Sequence, residues 1–386
     1  MDATFYKVNY MDTLTKPNPI PQVWQIKVEP HPQGWETVAY AGKEGGKMRR
    51  TSHGVFPQET DADFKANSKM KKKTDGGYLL SRTEAMNNPV FLPMLASATK
   101  GKPEVLENAD YPVMVQRKFD GLRGLATFNP DGSIKFVSRK NNEYTIPIPK
   151  IRQEIAFMGG RLSNQLSDDI ILDGELYVEP SDLDFNTANG LIRTSADSMD
   201  AEKERQQDLI KYRIYDFFDP QNPNLNYKQR HQILEDSLGP LGVQQFDKIV
   251  LTQNHIANNP QEVKDLALQF QKEGYEGGIV RQDMPYQVDK RNKALLKVKF
   301  FMDEEFQIVN FTDGDTPSSK GLVKWVVMTP EGKIFNVSMN APHELQREYF
   351  QNGEKYIGSD LTVEFETYSP DGIPMKPRGK AIRNYE

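Results

Sequence analysis

A lysine that is to act as a nucleophile needs a rigid edge to project from and nearby cations that favour its neutral form. The stretch QRKFDGLRG (116–124) supplies the edge: a β-rich run ends at Lys118, Gly121 turns the chain, and Asp120 and Arg123 follow closely. K-x-D-G alone is a short pattern of common residues, and most such matches are surface turns. Further segments add weight in order along the chain. VSRKN (137–141) ends a strand and presents Arg139, and ILDGELYV (171–178) sets Asp173 and Glu175 among apolar, β-rich neighbours. YRIYDFFD (212–219) puts Tyr215 and Phe217 on one face of an expected strand. YEGGIVR (275–281) carries Glu276 against two glycines that permit close backbone approach. ALLKVKF (294–300) alternates, so Lys297 and Lys299 share one face while Leu296 and Val298 share the other.

Inward-facing lysines are costly unless they meet anions, and carboxylates in apolar strands are costly unless they meet a cation. A triphosphate with its divalent metal satisfies both sets at once. Each motif taken singly reads equally well as an internal ion pair or a solvent-facing edge. Their company favours the nucleotide.

The elements that must position these residues are mixed. Residues 1–60 read as a small β unit: VWQIKVE (23–29) and WETVAYA (35–41) flank a PHPQG turn, and GKEGGKMRR leads into another short strand. Residues 61–85 are polar and charged, and read as a basic helix-plus-linker containing Lys65, Lys69, Lys71, Lys72 and Lys73. From 86 to 301 short strands such as YPVMVQRKF and SIKFVSRK alternate with helical stretches such as QEVKDLALQFQKEG. From 302 to 386 strands dominate again (EEFQIVNF, LVKWVVMT, KIFNVSM, LTVEFETY), with one helix, APHELQREYFQ, between them. Four or five strands and a helix in such a length suit a small Greek-key barrel of the OB type. The fold class expected is therefore α+β with no internal repeat.

The chain has 386 residues, 37% hydrophobic and 27% charged, and its net charge is −5. That excludes a globally basic nucleic-acid coat but not a local grip, because counterion release follows the phosphates met by Lys and Arg. A second basic run, Lys290, Arg291, Lys293, Lys297 and Lys299, lies beside the last motif. The complete lack of cysteine excludes disulfides, thiolate chemistry and cysteine-bound zinc, and fits a reducing cytoplasm. No apolar stretch is long enough to span a bilayer, and the start lacks the order of a signal peptide.

The series KFDG, SRK, LDGEL, YRIYDFF, EGGIVR and LLKVK, with PMLA (93–96) ahead of it, resembles the motif set of the ATP-dependent DNA ligases, within the covalent nucleotidyltransferases. Order and spacing fit over about 86–386, in the manner of bacteriophage-type ligases, some of which carry a WGR-like β domain and a basic linker in front. The resemblance implies an adenylation domain of antiparallel sheets with flanking helices, followed by an OB-fold domain. It implies a lysyl-AMP on Lys118, formed from ATP and passed to the 5′-phosphate of nicked double-stranded DNA, in replication, repair or recombination. An unperturbed lysine titrates near ~10.4, so Lys297, Lys299 and a bound metal would favour the reactive amine.

By the same resemblance Glu175 and Glu276 are the carboxylates for magnesium or manganese, Glu175 also serving the ribose. Arg123 and Arg139 meet ribose or phosphate, Lys297 and Lys299 the α-phosphate, and Tyr215 stacks on adenine. Tyr215 also reads as a core aromatic. Many relatives have a carboxylate two residues before the lysine, reading the adenine amine; here Gln116 offers an amide oxygen instead. The end, PMKPRGKAIRNYE, resembles the family's last motif, making Arg378, Lys380 and Arg383 candidates for pyrophosphate; a basic tail is the alternative. RNA ligases and capping guanylyltransferases share the lysine motif, and a nick-binding module without activity is a further alternative. NAD-dependent ligases normally carry extra segments that are missing here. A monomer in the cytoplasm, of a bacterial host if the chain is viral, is expected.

Overall fold

The computed structural model describes residues 1–99, 104–162, 166–238, 246–316, 319–369 and 371–383. It divides into two compact units, Met1–Lys297 and Val298–Glu386, a few residues before the break expected at 302.

In the first unit, strands β1 (Asp2–Lys7), β2 (Gln22–His31), β3 (Gly34–Lys43) and β4 (Arg49–Phe56) form an antiparallel sheet in sequence order. Alternation along β2 buries Trp24, Ile26 and Val28 on one face, with Phe5 and Ala39. The helix Glu59–Thr74 covers that face through Ala62 and Ala66, and Thr37 Oγ1 donates to the Ala62 carbonyl at 2.7 Å. The stretch 61–85, expected as a helix-plus-linker, is thus a helix packed on the sheet rather than a free connection. Ala62 and Ala66, with Met70 partly buried beside them, carry the contact, too little apolar surface to mark a strongly amphipathic helix. Even the following segment is tied down: Tyr6 and Leu79 exchange backbone hydrogen bonds of 2.7 and 2.8 Å.

The next strands are β5 (Leu95–Ala98), β6 (Val113–Arg117), β7 (Leu122–Phe128), β8 (Ile134–Ser138), β9 (Ile171–Tyr177), β10 (Lys211–Phe218), β11 (Ile249–Leu251), β12 (His255–Ala257), β13 (Gly278–Arg281) and β14 (Arg291–Val298). They make two five-stranded sheets, ordered β11-β10-β9-β7-β8 and β12-β6-β13-β14-β5. Pairing is mostly antiparallel; β10–β11 and β14–β5 run parallel. The first sheet buries one face against the helices Pro149–Leu162, Phe185–Ile192 and Tyr227–Leu238, through Phe136, Leu172, Tyr212, Ile214 and Phe217. Its other face supplies Leu125, Val137, Ile171 and Phe218 to a core shared with Ala294 and Leu295 of the second sheet. The motifs lie along the rim of that shared core.

The register corrects one expectation. Between Ile214, opposite Gly174, and Asp216, opposite Asp173, β10 carries an extra residue, Tyr215. This bulge breaks the alternation, so Tyr215 faces the intersheet side while Phe217 points into the helix-covered core.

The second unit is a closed barrel of β15 (Met302–Asp313), β16 (Val323–Met328), β17 (Ile334–Met339), β18 (Asp360–Phe365) and β19 (Arg378–Arg383), ordered β15-β16-β17-β19-β18. Trp325, Val337, Leu361, Val363 and Phe365 fill it, and the helix His343–Gln351 lies between β17 and β18 in sequence. The segment weighed as a basic tail is the strand that closes the barrel, pairing parallel to β17 and antiparallel to β18. Among the described residues no helix is long and apolar enough to cross a membrane.

Candidate active site

A cavity of about 730 Å³ opens between the two five-stranded sheets. The second sheet contributes Gln116, Lys118, Ile279, Arg281, Leu295 and Lys297; the first contributes Arg123, Ser138, Glu175 and Tyr215, with Arg139 and Lys140 just beyond β8. Most of the residues singled out from the sequence therefore meet on one wall or another of a single space.

Lys118 sits one residue past β6 and is fixed by its backbone. Its N–H donates to the Gly277 carbonyl at 3.0 Å, and its own carbonyl accepts from the Glu276 N–H at 3.0 Å. Gly277 has φ +131°, a conformation that favours glycine, which accounts for one of the paired glycines in YEGGIVR. The Glu276 carboxylate pairs with the Lys118 ammonium. Gly121 lets the KFDG turn press onto β9: a Cβ there would stand 2.4 Å from the Leu176 carbonyl oxygen and 2.9 Å from Glu175 Cγ. That close approach brings Lys118 and Glu175 to the same wall.

Burial pushes the Glu175 carboxyl up to about 7, against the lowering pull of Lys118 and Arg123; Asp173 pushes it further up. The Tyr215 hydroxyl donates weakly to Glu175 Oε2 at 3.4 Å. Tyr144 also lines the cavity, and its phenol is pushed up to about 12 by burial and by Glu175. Glu175 is thus a carboxylate poised to gain from a cation.

Arg123 lines the cavity, but much of its fork is committed within the protein. Nε donates to Asp173 at 2.8 Å, Nη1 to the Met94 carbonyl at 2.7 Å, and Nη2 to Asp173. Tyr286 also donates to Asp173, at 2.5 Å. The PMLA segment is therefore tied to the site through Met94. Gln116 is 1% exposed; its oxygen accepts from Arg281 Nε at 2.6 Å and its nitrogen donates to Tyr227 at 2.9 Å. An acceptor site on that oxygen remains for a ligand.

Lys297 lines the cavity, whereas Lys299 belongs to the second unit, where Glu366 holds it at 2.8 Å. Also within the second unit, Lys380 pairs with Asp303 at 2.8 Å, Arg383 donates to Thr362 at 2.9 Å, and Arg378 opens β19. Sequence reasoning missed Arg193, Arg291 and Tyr144 as cavity residues, and missed Arg281 as the partner of Gln116. Arg281 closes the EGGIVR motif, so its place opposite β6 was the available signal; Arg291 opens β14 within the second basic run, while Arg193 and Tyr144 lie on connections with no pattern to mark them.

Glu175 and Glu276 are the carboxylates that could hold a divalent cation. Among the described residues no cluster of three or more His, Cys, Asp or Glu forms a dedicated cage. Magnesium bound beside a nucleotide needs none, since one or two carboxylates and the substrate's phosphates suffice.

Residues 93–299 match the family model described as ATP dependent DNA ligase domain. The DNA ligase of African swine fever virus (isolate Tick/South Africa/Pretoriuskop Pr4/1996) is 28% identical over 358 residues, spanning 89% of this chain and 78% of the relative. The DNA ligase of Enterobacteria phage T4 is 24% identical over 319 residues, 70% of this chain and 63% of that one. Among solved structures, one from a structure–function study of Lig E DNA ligases aligns with TM-score 0.56 and 17% identity, covering 76% of this chain and all of that one. Another, designated Pmar-Lig_PreS3, aligns with TM-score 0.60 and 18% identity, over 77% of this chain and 68% of that one. At these identities the structural likeness speaks for the fold.

Proposed function

The chain belongs to the ATP-dependent DNA ligase family, and from that premise we propose that it seals 5′-phosphate/3′-hydroxyl nicks in duplex DNA through an adenylate carried on Lys118. One observation carries the assignment of the nucleophile. Lys118 stands on the cavity wall with Glu175, Tyr215, Gln116 and Lys297, gathered from both sheets, and with Glu276 on its amine.

In the first step the Lys118 amine attacks the α-phosphorus of ATP; a P–N bond forms and the bond to pyrophosphate breaks. The amine must be a free base to attack, so its contact with Glu276 is exchanged as the triphosphate arrives. Lys297 meets the α-phosphate, Arg139 and the remaining donors of Arg123 meet ribose or phosphate, and Tyr215 lies against the base. In the second step an oxygen of the DNA 5′-phosphate attacks the same phosphorus and releases Lys118. In the third the 3′-hydroxyl attacks the activated 5′-phosphate and AMP leaves. These transfers ask for positioning and charge stabilisation more than covalent help from other side chains. Glu175 and Glu276 would hold a magnesium or manganese ion, which neutralises phosphate charge when bound.

We read the barrel as an OB-fold from its strand order and interposed helix, with Lys299, Arg378, Lys380 and Arg383 serving the triphosphate during the first step. The N-terminal sheet and its helix are read as a WGR-like domain that contacts duplex next to the nick. Lys65 and Lys69 share that helix with Lys72 and Lys73; Lys69 is shifted down by burial first and then by Lys65 and Lys72, and Lys73 by burial first and then by Lys7 of β1. Such crowding of like charge suits a polyanion. Charge reversal of Lys65, Lys69 and Lys72 should weaken duplex binding and flatten its salt dependence; unchanged affinity and slope would remove this role. The protein is taken to act as a monomer in the cytoplasm.

Radiolabelled ATP tests the enzyme reading. Label should attach to the protein, come off with pyrophosphate, and be released as AMP when nicked duplex is sealed. Covalent GMP without AMP would point instead to capping chemistry.

A further inference from the structure

The groups behind Gln116 leave it only one way to present itself. Gln116 on β6 and Arg281 on β13 are diagonal neighbours in an antiparallel pair, Gln116 facing Ile279 and Met114 facing Arg281. A guanidinium can only donate, so the end of the amide that meets Arg281 Nε at 2.6 Å is the oxygen. The other end meets the Tyr227 hydroxyl at 2.9 Å, and that hydroxyl spends its own proton on Asn254 Oδ1 at 3.0 Å. Tyr227 can therefore only accept from Gln116, which makes that end the NH₂ group. A second, longer contact of 3.4 Å runs from the same nitrogen to the Thr252 carbonyl.

Arg281 is itself immobilised. Its Nη1 lies 2.7 Å from Asp216, which Arg230 grips at 2.6 and 3.0 Å, and the side chains of all three are at most 3% exposed. Its guanidinium carbon lies 4.9 Å from the Tyr227 ring centre and 5.1 Å from that of Tyr215. Turning the Gln116 amide over would set NH₂ against a guanidinium that cannot move aside and leave a buried donor unpaired.

We propose that Arg281 and Tyr227 are specificity-determining positioning residues, which lock Gln116 as a hydrogen-bond acceptor so that the cavity takes a purine bearing an amine at position 6 and rejects a 6-oxo purine. A carboxylate at this position would accept through either oxygen and would need no lock; an amide has a donor end that must be turned away. The inference rests on the reading that this cavity binds ATP for transfer to Lys118.

The test is lysyl-nucleotide formation from ATP and from ITP, which differs at purine position 6, with KM and maximal rate measured separately. Wild type should favour ATP by roughly 100-fold or more in rate over KM. Tyr227→Phe removes the nearer acceptor of the amide nitrogen, leaving only the 3.4 Å contact with the Thr252 carbonyl, and should cut that preference by about 10-fold, mostly through KM for the two nucleotides. Arg281→Lys should act in the same direction; if it does not fold, Tyr227→Phe still decides the matter. The decisive arm is Gln116→Glu. In that background both oxygens accept, so adding Tyr227→Phe should leave the ATP-to-ITP ratio unchanged within about 2-fold, whereas a merely structural defect would carry over. A ratio that stays at the wild-type value in Tyr227→Phe, or that falls equally in the Gln116→Glu background, overturns the lock. A wild-type protein that forms no lysyl-AMP overturns the ATP reading itself, and the lock with it.

Discussion

Two ion-pair systems border the same cavity and are built differently. Lys118 and Glu276 meet with 22% and 8% of their side chains exposed, in a pairing that a ligand can reach and exchange. Behind Gln116, Arg281, Asp216 and Arg230 are exposed by 3%, 0% and 3%, and their hydrogen bonds are spent on one another, on Gln116 and on nearby backbone. A charge that must change partners during a reaction has to stay near solvent, where desolvation is modest. A charge that only holds another group in place can be buried, provided its partners are complete. The division teaches that removing a residue of the first system should cost chemistry and little stability, while removing one of the second should cost the fold.

The largest effect tests the first half of that contrast. Lys118→Ala should lower lysyl-AMP formation and nick sealing by more than about 10³-fold while duplex binding stays measurable. Its unfolding free energy, followed in urea, should move by no more than about 0.5 kcal/mol. Asp216→Ala tests the other half. It leaves Arg230 and Arg281 buried without their carboxylate, and should cost about 3–5 kcal/mol in the same urea experiment. A loss of activity with unchanged stability would show the buried system to be less structural than its burial suggests.

Glu175 lies between these extremes, half-buried and facing the cavity. Its carboxyl is raised to about 7, so the charged form that can serve a cation is present above that pH and lost below it. The rate over KM for self-adenylylation should fall as pH drops through about 7. In Glu175→Gln that limb should vanish, with the plateau about 10²-fold lower. A limb that persists in the variant belongs to another group.

The smallest effect concerns His231, at the edge of the buried system. Burial first, and then Arg281, lower its imidazole to about 4 from an ordinary 6.5. The unfolded chain therefore takes up a proton between about 6.5 and 4 that the folded chain refuses, and stability falls as pH falls through that window. The loss should be on the order of 2 kcal/mol, and His231→Gln should flatten it in urea titrations between pH 7 and 4.

The parts of this site that could be read from the sequence are those where chemistry and local pattern coincide. KFDG, LDGEL and EGGIVR put their charged residues at strand ends or beside glycines, and Lys118, Glu175 and Arg281 do stand where those strands and turns bring them. What escaped depends on pairing between distant segments. The link from Gln116 to Tyr227 spans 111 positions and that to Arg281 spans 165, and nothing local announces either. The bulge at Tyr215 breaks the period of two, so Phe217 was placed on the wrong face. The helix in 61–85 is expected, but its packing on the sheet is not, because the apolar contact rests on little more than Ala62, Ala66 and Met70. The segment of strand β19 leaves a basic tail open as an alternative because its charged residues lie on the outside of a barrel whose closure the sequence pattern does not reveal.

The central claim is that Lys118 alone carries the adenylate. Mass spectrometry of proteolytic fragments after incubation with ATP and magnesium, without DNA, tests it most directly. The account predicts a single adenylate on the peptide containing Lys118, removed by pyrophosphate and lacking in Lys118→Ala. An adenylate on Lys297, Lys299 or any other residue, or one that persists in Lys118→Ala, would contradict it.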